Sequence, residues 1–319
     1  MEIVNYQIRP AATIGDYINI ARPDHWFKNV FVLPGVVIAA LLTHTPVEQF
    51  VVPLIIGLIA TCLVASSNYV INEWLDAEFD RFHPRKRNRP SVTKNLNKSL
   101  VYTEYIILAV AGLVLGLLVS PYFALMLACL FIQGVFYNIR PFRTKEKAFL
   151  DVLSEAVNNP IRLMLGWFIV TATPLPPSSV VVGYWMGGAF LMAMKRYAEY
   201  CFINDPEAAS LYRRSFKIYT KETLLISTFF YGLCSALFFG VFMVKHRIEL
   251  FFSLPFFALL FAWYLHIGMK PDSPAQRPES LYSERGFIFF VILVTIIVNV
   301  LLFVDIPWLD WFLINAFAE

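Results

Sequence analysis

The chain has 319 residues, 58% of them hydrophobic and only 15% charged, with a net charge of +3. A typical soluble domain carries ~45–50% apolar and ~25% charged residues, so a disordered chain, a secreted disulfide mini-domain and an ordinary cytosolic enzyme are all excluded. Thirty phenylalanines and a mean hydropathy of +0.61 point the same way, to a protein solvated by lipid.

Residues 1–26 are mixed and polar, with no short apolar core and no small-residue cleavage site. They read as a cytoplasmic N-terminal segment, and the first helix is expected to be retained. A span needs ~20 mostly apolar residues. Nine runs qualify: 27–43, 50–72, 101–119, 122–138, 149–171, 178–198, 222–243, 249–269 and 286–304. The third and fourth are joined by little more than Ser120-Pro121, which demands a tight hairpin. The tail 305–319 is tryptophan-rich and amphipathic and is expected to lie in the membrane interface. With no long linker and no tandem repeat, the expectation is one all-α, polytopic membrane domain over 1–319 with nine transmembrane helices.

Lysine and arginine are distributed unevenly along this pattern. Seven follow the second run (Arg81, Arg85, Lys86, Arg87, Arg89, Lys94, Lys98) and four follow the fourth (Arg140, Arg143, Lys145, Lys147). Six lie in the stretch that closes the sixth run and leads into the seventh (Lys195, Arg196, Arg213, Arg214, Lys217, Lys221). The opposite loops have almost none. The positive-inside rule then puts the N-terminus and the charged loops in the cytoplasm, which implies an inner (cytoplasmic) membrane protein.

At the end of the second run, Asn72, Asp76 and Asp80 are spaced i, i+4, i+8. Each step of four overshoots a helical turn by only ~40°, so the three stack along one face, ~6 Å apart per step. Two carboxylates and an amide oxygen are hard ligands suited to Mg²⁺, which bridges to substrate phosphates. The alternative is a solvated helix end paired with the arginines downstream. Ionisable groups at membrane depth are costly and usually functional, which favours the metal. Glu73 and Glu78 fall on other faces and read as solvated. Arg162 sits well inside the fifth run and needs a cavity or a partner; a salt bridge to Asp151 or Glu155 is the alternative to a phosphate contact. The four cysteines form no CxxC pair and read as packing residues. His25 and His83 have no second ligand at metal spacing.

The Asn72-x-x-x-Asp76-x-x-x-Asp80 motif at this position resembles the first acidic motif of the UbiA superfamily of intramembrane prenyltransferases. That resemblance implies a helical bundle around a central cavity, a cytoplasmic cap, Mg²⁺ as cofactor and diphosphate as leaving group. The runs ARPDHWFKN (21–29), YVINEWLDAEFDRFHPRKRNRP (69–90) and MKRYAEY (194–200) resemble one branch in particular. That branch makes decaprenylphosphoryl-5-phosphoribose from phosphoribosyl pyrophosphate (PRPP) and a polyprenyl phosphate. Prenyl-diphosphate-using relatives usually carry a second DxxxD motif where this chain has Lys195-Arg196-Tyr197-Ala198-Glu199. Two cations there favour direct contact with a phosphate.

The same resemblance implies substrate contacts at Lys28, Arg81, Tyr137, Lys145, Asp151, Arg162, Lys195, Arg196 and Glu199, with Asn72, Asp76 and Asp80 as metal ligands and catalytic residues. The expected reaction is transfer of 5-phosphoribosyl from PRPP to a polyprenyl phosphate, feeding glycan synthesis. The partners are these two substrates and the membrane, with no nucleic acid. The runner-up is a conventional family member that moves a prenyl group from its diphosphate to an aromatic or other acceptor. A transporter or lipid scaffold that has kept the fold without the chemistry is a third reading, against which the intact acidic ladder argues.

Overall fold

The computed structural model describes residues 9–309, the side chains of 278 and 279 excepted. Among these residues the regular elements are all helical, apart from one isolated bridge between Ala11 and Asn95. The chain divides into two compact units. One comprises the chain up to Pro174 together with Asp205–Ile218, the other Leu175–Asn204 and the chain from Tyr219 onward.

The first unit opens with α1 (Ile14–Ala21), which ends at Arg22 in the left-handed region with φ 51°. A 3-10 stretch, Pro23–Val32, leads into α2 (Leu33–Thr43), so the first run is two segments rather than one continuous helix from residue 27. Then follow α3 (Val51–Asp80), the short α4 (Pro90–Thr93), α5 (Lys98–Val119) and α6 (Pro121–Asn138). The hairpin expected at Ser120-Pro121 is present. Ser120 caps α6 by accepting from the Phe123 N–H, and Pro121 sits at a first-turn position where its missing donor costs nothing. The fifth run is α7 (Leu150–Ala156) and α8 (Asn158–Val170), interrupted at Val157. Pro160 lies just beyond and has no N–H for the Ala156 carbonyl.

The sixth run is α9 (Ser178–Ile203), a 26-residue helix of the second unit whose later half carries Lys195, Arg196 and Glu199. Asp205 then caps α10 (Pro206–Tyr212), which belongs to the first unit. The second unit continues through α11 (Lys221–His246), α12 (Leu254–Gly268) and α13 (Arg285–Phe303). Seven helical stretches among the described residues are long and apolar enough to cross a membrane; α7–α8 and α9 account for the other two runs. Of the expected interfacial tail, residues 310–319 lie outside the described residues.

Core and lipid faces follow from residue size and side. In the first unit Val32, Val36, Phe123, Leu127, Leu165 and Trp167 form a buried cluster drawn from the 3-10 stretch and α2, α6 and α8. On α5, Ile106, Ile107, Val110, Val114, Leu117 and Leu118 are each half or more exposed. On α11, Ile226, Phe229, Phe230, Leu233 and Leu237 repeat the pattern. Continuous exposed apolar stripes of this size are solvated by lipid rather than water. The protein is an integral membrane protein.

Candidate active site

The site is built on α3. Asn72, Asp76 and Asp80 fall on one stripe, which extends back another turn to Asn68. The Asn68 Nδ2 donates to the Leu130 carbonyl at 2.9 Å, and its Oδ1 is buried without a partner. Gly134 on α6 makes room for this amide, since a Cβ there would collide with it. One turn on, the Asn72 Nδ2 donates to the Asn138 Oδ1 at 2.5 Å, and no hydrogen bond engages the Asn72 Oδ1 among the described residues.

The donor set suits a hard divalent cation: two carboxylates one turn apart and an amide oxygen turned free of α6. Among the described residues no group of three His, Cys, Asp or Glu that could hold a metal ion occurs, so this chain offers two carboxylates and one amide oxygen. Such a site leaves coordination positions for water or phosphate. These residues therefore fit Mg²⁺ that also binds a substrate oxygen.

Both carboxylates are paired with cations. Asp80 is 2% exposed and paired with Arg89 NH1. The downstream-arginine pairing expected of the alternative reading is thus present at Asp80, in a buried setting. Asp76 receives Lys145 Nζ at 2.6 Å and Arg143 NH2 at 3.0 Å. Both cations are themselves buried, and the Lys145 ammonium also donates to the Asn138 Oδ1 at 2.8 Å. Burial pushes the Lys145 amine down to about 8, against the pull of Asp76. Lys145 is therefore fixed in the site and does not snorkel. Arg143 is further held by Glu146 Oε1 at 2.5 Å and by the Asn138 carbonyl at 3.1 Å.

Glu73 corrects the sequence reading. It is 2% exposed rather than solvated, whereas Glu78 is exposed as expected. Its Oε2 accepts from Arg22 Nε at 3.0 Å and NH2 at 2.6 Å, with Arg89 Nε at 4.0 Å. The left-handed turn at Arg22 aims this guanidinium at α3. A chain of alternating charge, Arg22–Glu73–Arg89–Asp80, fastens the N-terminal segment and the loop after α3 to the acidic stripe. Removing one member leaves buried charge uncompensated. Glu73→Gln is expected to cost about 3 kcal/mol, read as a lowered unfolding midpoint in detergent, with Glu73→Asp recovering part of it.

Arg162 makes no salt bridge among the described residues; neither Asp151 nor Glu155 pairs with it. Its Nε donates to the Asn29 Oδ1 at 3.1 Å and its NH1 to the Asn158 carbonyl at 3.4 Å. Asn29 is buried and its Nδ2 contacts the Cys62 Sγ at 3.1 Å. Lys28, the neighbouring residue, lies with its Nζ 3.0 Å from the His25 Nδ1. The Tyr137 hydroxyl donates to the Glu155 Oε2 at 2.5 Å, which links α6 to α7.

Two expected contacts are positioned differently. Arg81 is exposed and stacked over the Phe82 ring at 4.7 Å, while Arg89 and Arg143 pair with the carboxylates. Asp151 is fully buried, accepting from the Ser215 Oγ at 3.1 Å with Arg213 at 3.8 Å. It fastens the segment 205–218, which is also held by Lys86 to Tyr212 and by Arg214 to Glu146 at 3.1 Å. In the second unit, Arg196 and Glu199 are both 1% exposed and paired at 3.2 Å. Glu199 is thus the partner of a cation, and Arg196 is no loop charge. Lys195 adjoins them at a half-buried position.

The family model for the UbiA prenyltransferase family matches residues 30–292. The chain is 29% identical over 217 residues to a decaprenyl-phosphate phosphoribosyltransferase of Mycobacterium tuberculosis, covering 67% of this chain and 69% of that protein. A protein of the same description from Corynebacterium glutamicum is 27% identical over 234 residues, 69% of this chain and 65% of its own length. Among solved structures, a UbiA homolog from Archaeoglobus fulgidus bound to GPP and Mg²⁺ superposes with a TM-score of 0.69 at 19% identity, covering 91% of this chain and all of that one. The last likeness speaks to the fold.

Proposed function

This chain belongs to the UbiA prenyltransferase family, and we propose that within it the protein transfers 5-phosphoribosyl from PRPP to a polyprenyl phosphate, releasing diphosphate, at the cytoplasmic face of the inner membrane. Arg162 carries the reading. A prenyl diphosphate with an aromatic acceptor presents a single phosphorylated group, which the stripe on α3 accommodates. PRPP with a lipid phosphate presents two further phosphates, and these need cations that are not already spent on carboxylates. An arginine inside a membrane segment with no acid partner among the described residues supplies one. The Lys195–Glu199 segment supports the same choice, because Glu199 is engaged by Arg196 where a second metal-binding acid would stand. Lys195 and Arg196 are proposed phosphate contacts on the strength of the resemblance alone. The relatives named decaprenyl-phosphate phosphoribosyltransferase support the donor and acceptor classes.

Asp76, Asp80 and Asn72 would hold Mg²⁺, which would offset the charge that develops on the departing diphosphate. Arg143, Lys145 and Arg89 surround the same carboxylates and add positive charge there. Arg162, oriented by Asn29, holds a phosphate monoester so that the anomeric carbon and the attacking oxygen are aligned. The lipid phosphate oxygen is already anionic, so no strong base is required, and catalysis rests on alignment and electrostatic preorganisation.

The test supplies purified protein in nanodiscs with Mg²⁺ and polyprenyl phosphate, with labelled PRPP in one arm. A second arm holds labelled prenyl diphosphate and a panel of aromatic acceptors. Label from PRPP in an organic-extractable, acid-labile lipid is the expected result, and label moving only from prenyl diphosphate overturns the reading. Arg162→Gln is expected to raise the KM for one phosphorylated substrate by about 10- to 100-fold, the worth of a charge-assisted hydrogen bond. Arg162→Lys is expected to recover little of this, because the guanidinium fork is lost.

A further inference from the structure

We propose that metal and diphosphate binding are coupled through Arg143 and Arg89, which serve as counter-ions of Asp76 and Asp80 until an anion draws them away. The inference rests on the metal and diphosphate part of the proposed function and is independent of which donor carries the diphosphate.

Every acid around the acidic stripe is paired as it stands. Asp76, Asp80, Glu73 and Glu146 face Arg22, Arg89, Arg143 and Lys145, with Arg214 a further partner of Glu146. Both carboxylates that fit a metal already have cation partners. Asp76 has two cations within 3.0 Å on one oxygen, and Asp80 has the Arg89 guanidinium directly against it.

A divalent cation entering alone meets carboxylates already satisfied and leaves three cations facing it in a buried setting. A diphosphate entering alone meets the carboxylates. When both enter, the metal takes the carboxylates, and the diphosphate takes the guanidinium groups released from them. The charges brought in by the two ligands then largely offset each other, so each ligand is bound more tightly in the presence of the other. Arg143 and Arg89 suit the exchange, because a guanidinium can leave one planar anion for another without losing its forked geometry. Each keeps a second acid, Glu146 at 2.5 Å and Glu73 at 4.0 Å, which retains it in place when its first partner is taken.

The experiment uses the full chain in lipid nanodiscs, with Mn²⁺ as the metal probe, its free concentration fixed by a metal buffer. Methylenediphosphonate, which cannot be cleaved, stands for the diphosphate. Wild-type protein is expected to bind Mn²⁺ about tenfold more tightly with the diphosphonate present. Arg143→Gln and Arg89→Gln, tested separately, are expected to bind Mn²⁺ alone several-fold more tightly than wild type and to lose most of the diphosphonate effect.

A wild-type Mn²⁺ curve that does not move with the diphosphonate overturns the coupling, and this arm needs no variant to fold. Variants that melt like wild type and bind Mn²⁺ alone no better than wild type overturn the assignment to these arginines. Failure to bind Mn²⁺ under either condition overturns the coupling and the metal site together. A donor assay in which PRPP is inert, with the Mn²⁺ shift intact, overturns only the choice of donor.

Discussion

Asparagine at Asp80 or at Asp76 is expected to lower turnover by about 10³-fold or more, the scale of losing the metal ion that would stabilise the departing anion. The carboxylate is the element lost, because asparagine keeps its size and one oxygen. Alanine is the poorer probe. It would leave Arg89, or Arg143 and Lys145, buried around a void with no acceptor, and loss of folding would then mimic loss of chemistry. The measurement is label transfer from the donor at saturating substrate, with thermal unfolding of each variant alongside. Glu78→Gln is the matched control: it lies on the same helix between the two aspartates, is exposed, and is expected to keep wild-type turnover. Near-normal rates in both aspartate variants would remove the metal assignment altogether.

The acidic stripe was legible in the sequence because its geometry is internal to one helix. A period of four fixes which side chains share a face, and the structure finds Asn72, Asp76 and Asp80 on α3 in that register. Span positions were legible for a similar reason, since lipid demands local apolar length. The partners of the stripe were not. Arg143 reaches Asp76 across 67 positions and Arg22 reaches Glu73 across 51, and no local periodicity encodes such a pairing. Glu73 was misread for this reason: its face is not that of the aspartates, but the N-terminal segment covers it. Asn138 and Asn68 had a weak signal, four residues after Gly134 and four before Asn72. The interruption of the fifth span had a stronger one in Asn158-Asn159-Pro160, because a proline inside an apolar run withdraws a helix donor.

The site also depends on a backbone crossing that carries no chemistry of its own. On α2 and α8, Gly35 and Gly166 face each other's chain. A methyl at Gly35 would overlap the Leu163 carbonyl oxygen and lie 2.8 Å from its carbon and 3.0 Å from the Trp167 nitrogen. One at Gly166 would overlap the Val32 carbonyl oxygen and lie 2.8 Å from the Val36 nitrogen. All of these are backbone atoms, so no side chain can swing aside, and the helices have to separate. Small residues at such crossings are what lets membrane helices pack closely. Arg162 is one turn before Gly166, and Asn29 lies one turn before Val32, so the crossing sets the Asn29–Arg162 contact at 3.1 Å. Gly166→Ala or Gly35→Ala is expected to cost about 3 kcal/mol or more and to weaken phosphate binding by parting Asn29 from Arg162. Unfolding midpoints and substrate KM check both effects in the same variants. Gly240→Ala on α11, where a Cβ meets nothing within 4 Å, should instead be neutral or stabilise by about 0.5–1 kcal/mol through helix propensity alone. An equal loss at Gly240 would mean that helix glycines in this chain are sensitive for a reason other than the crossing.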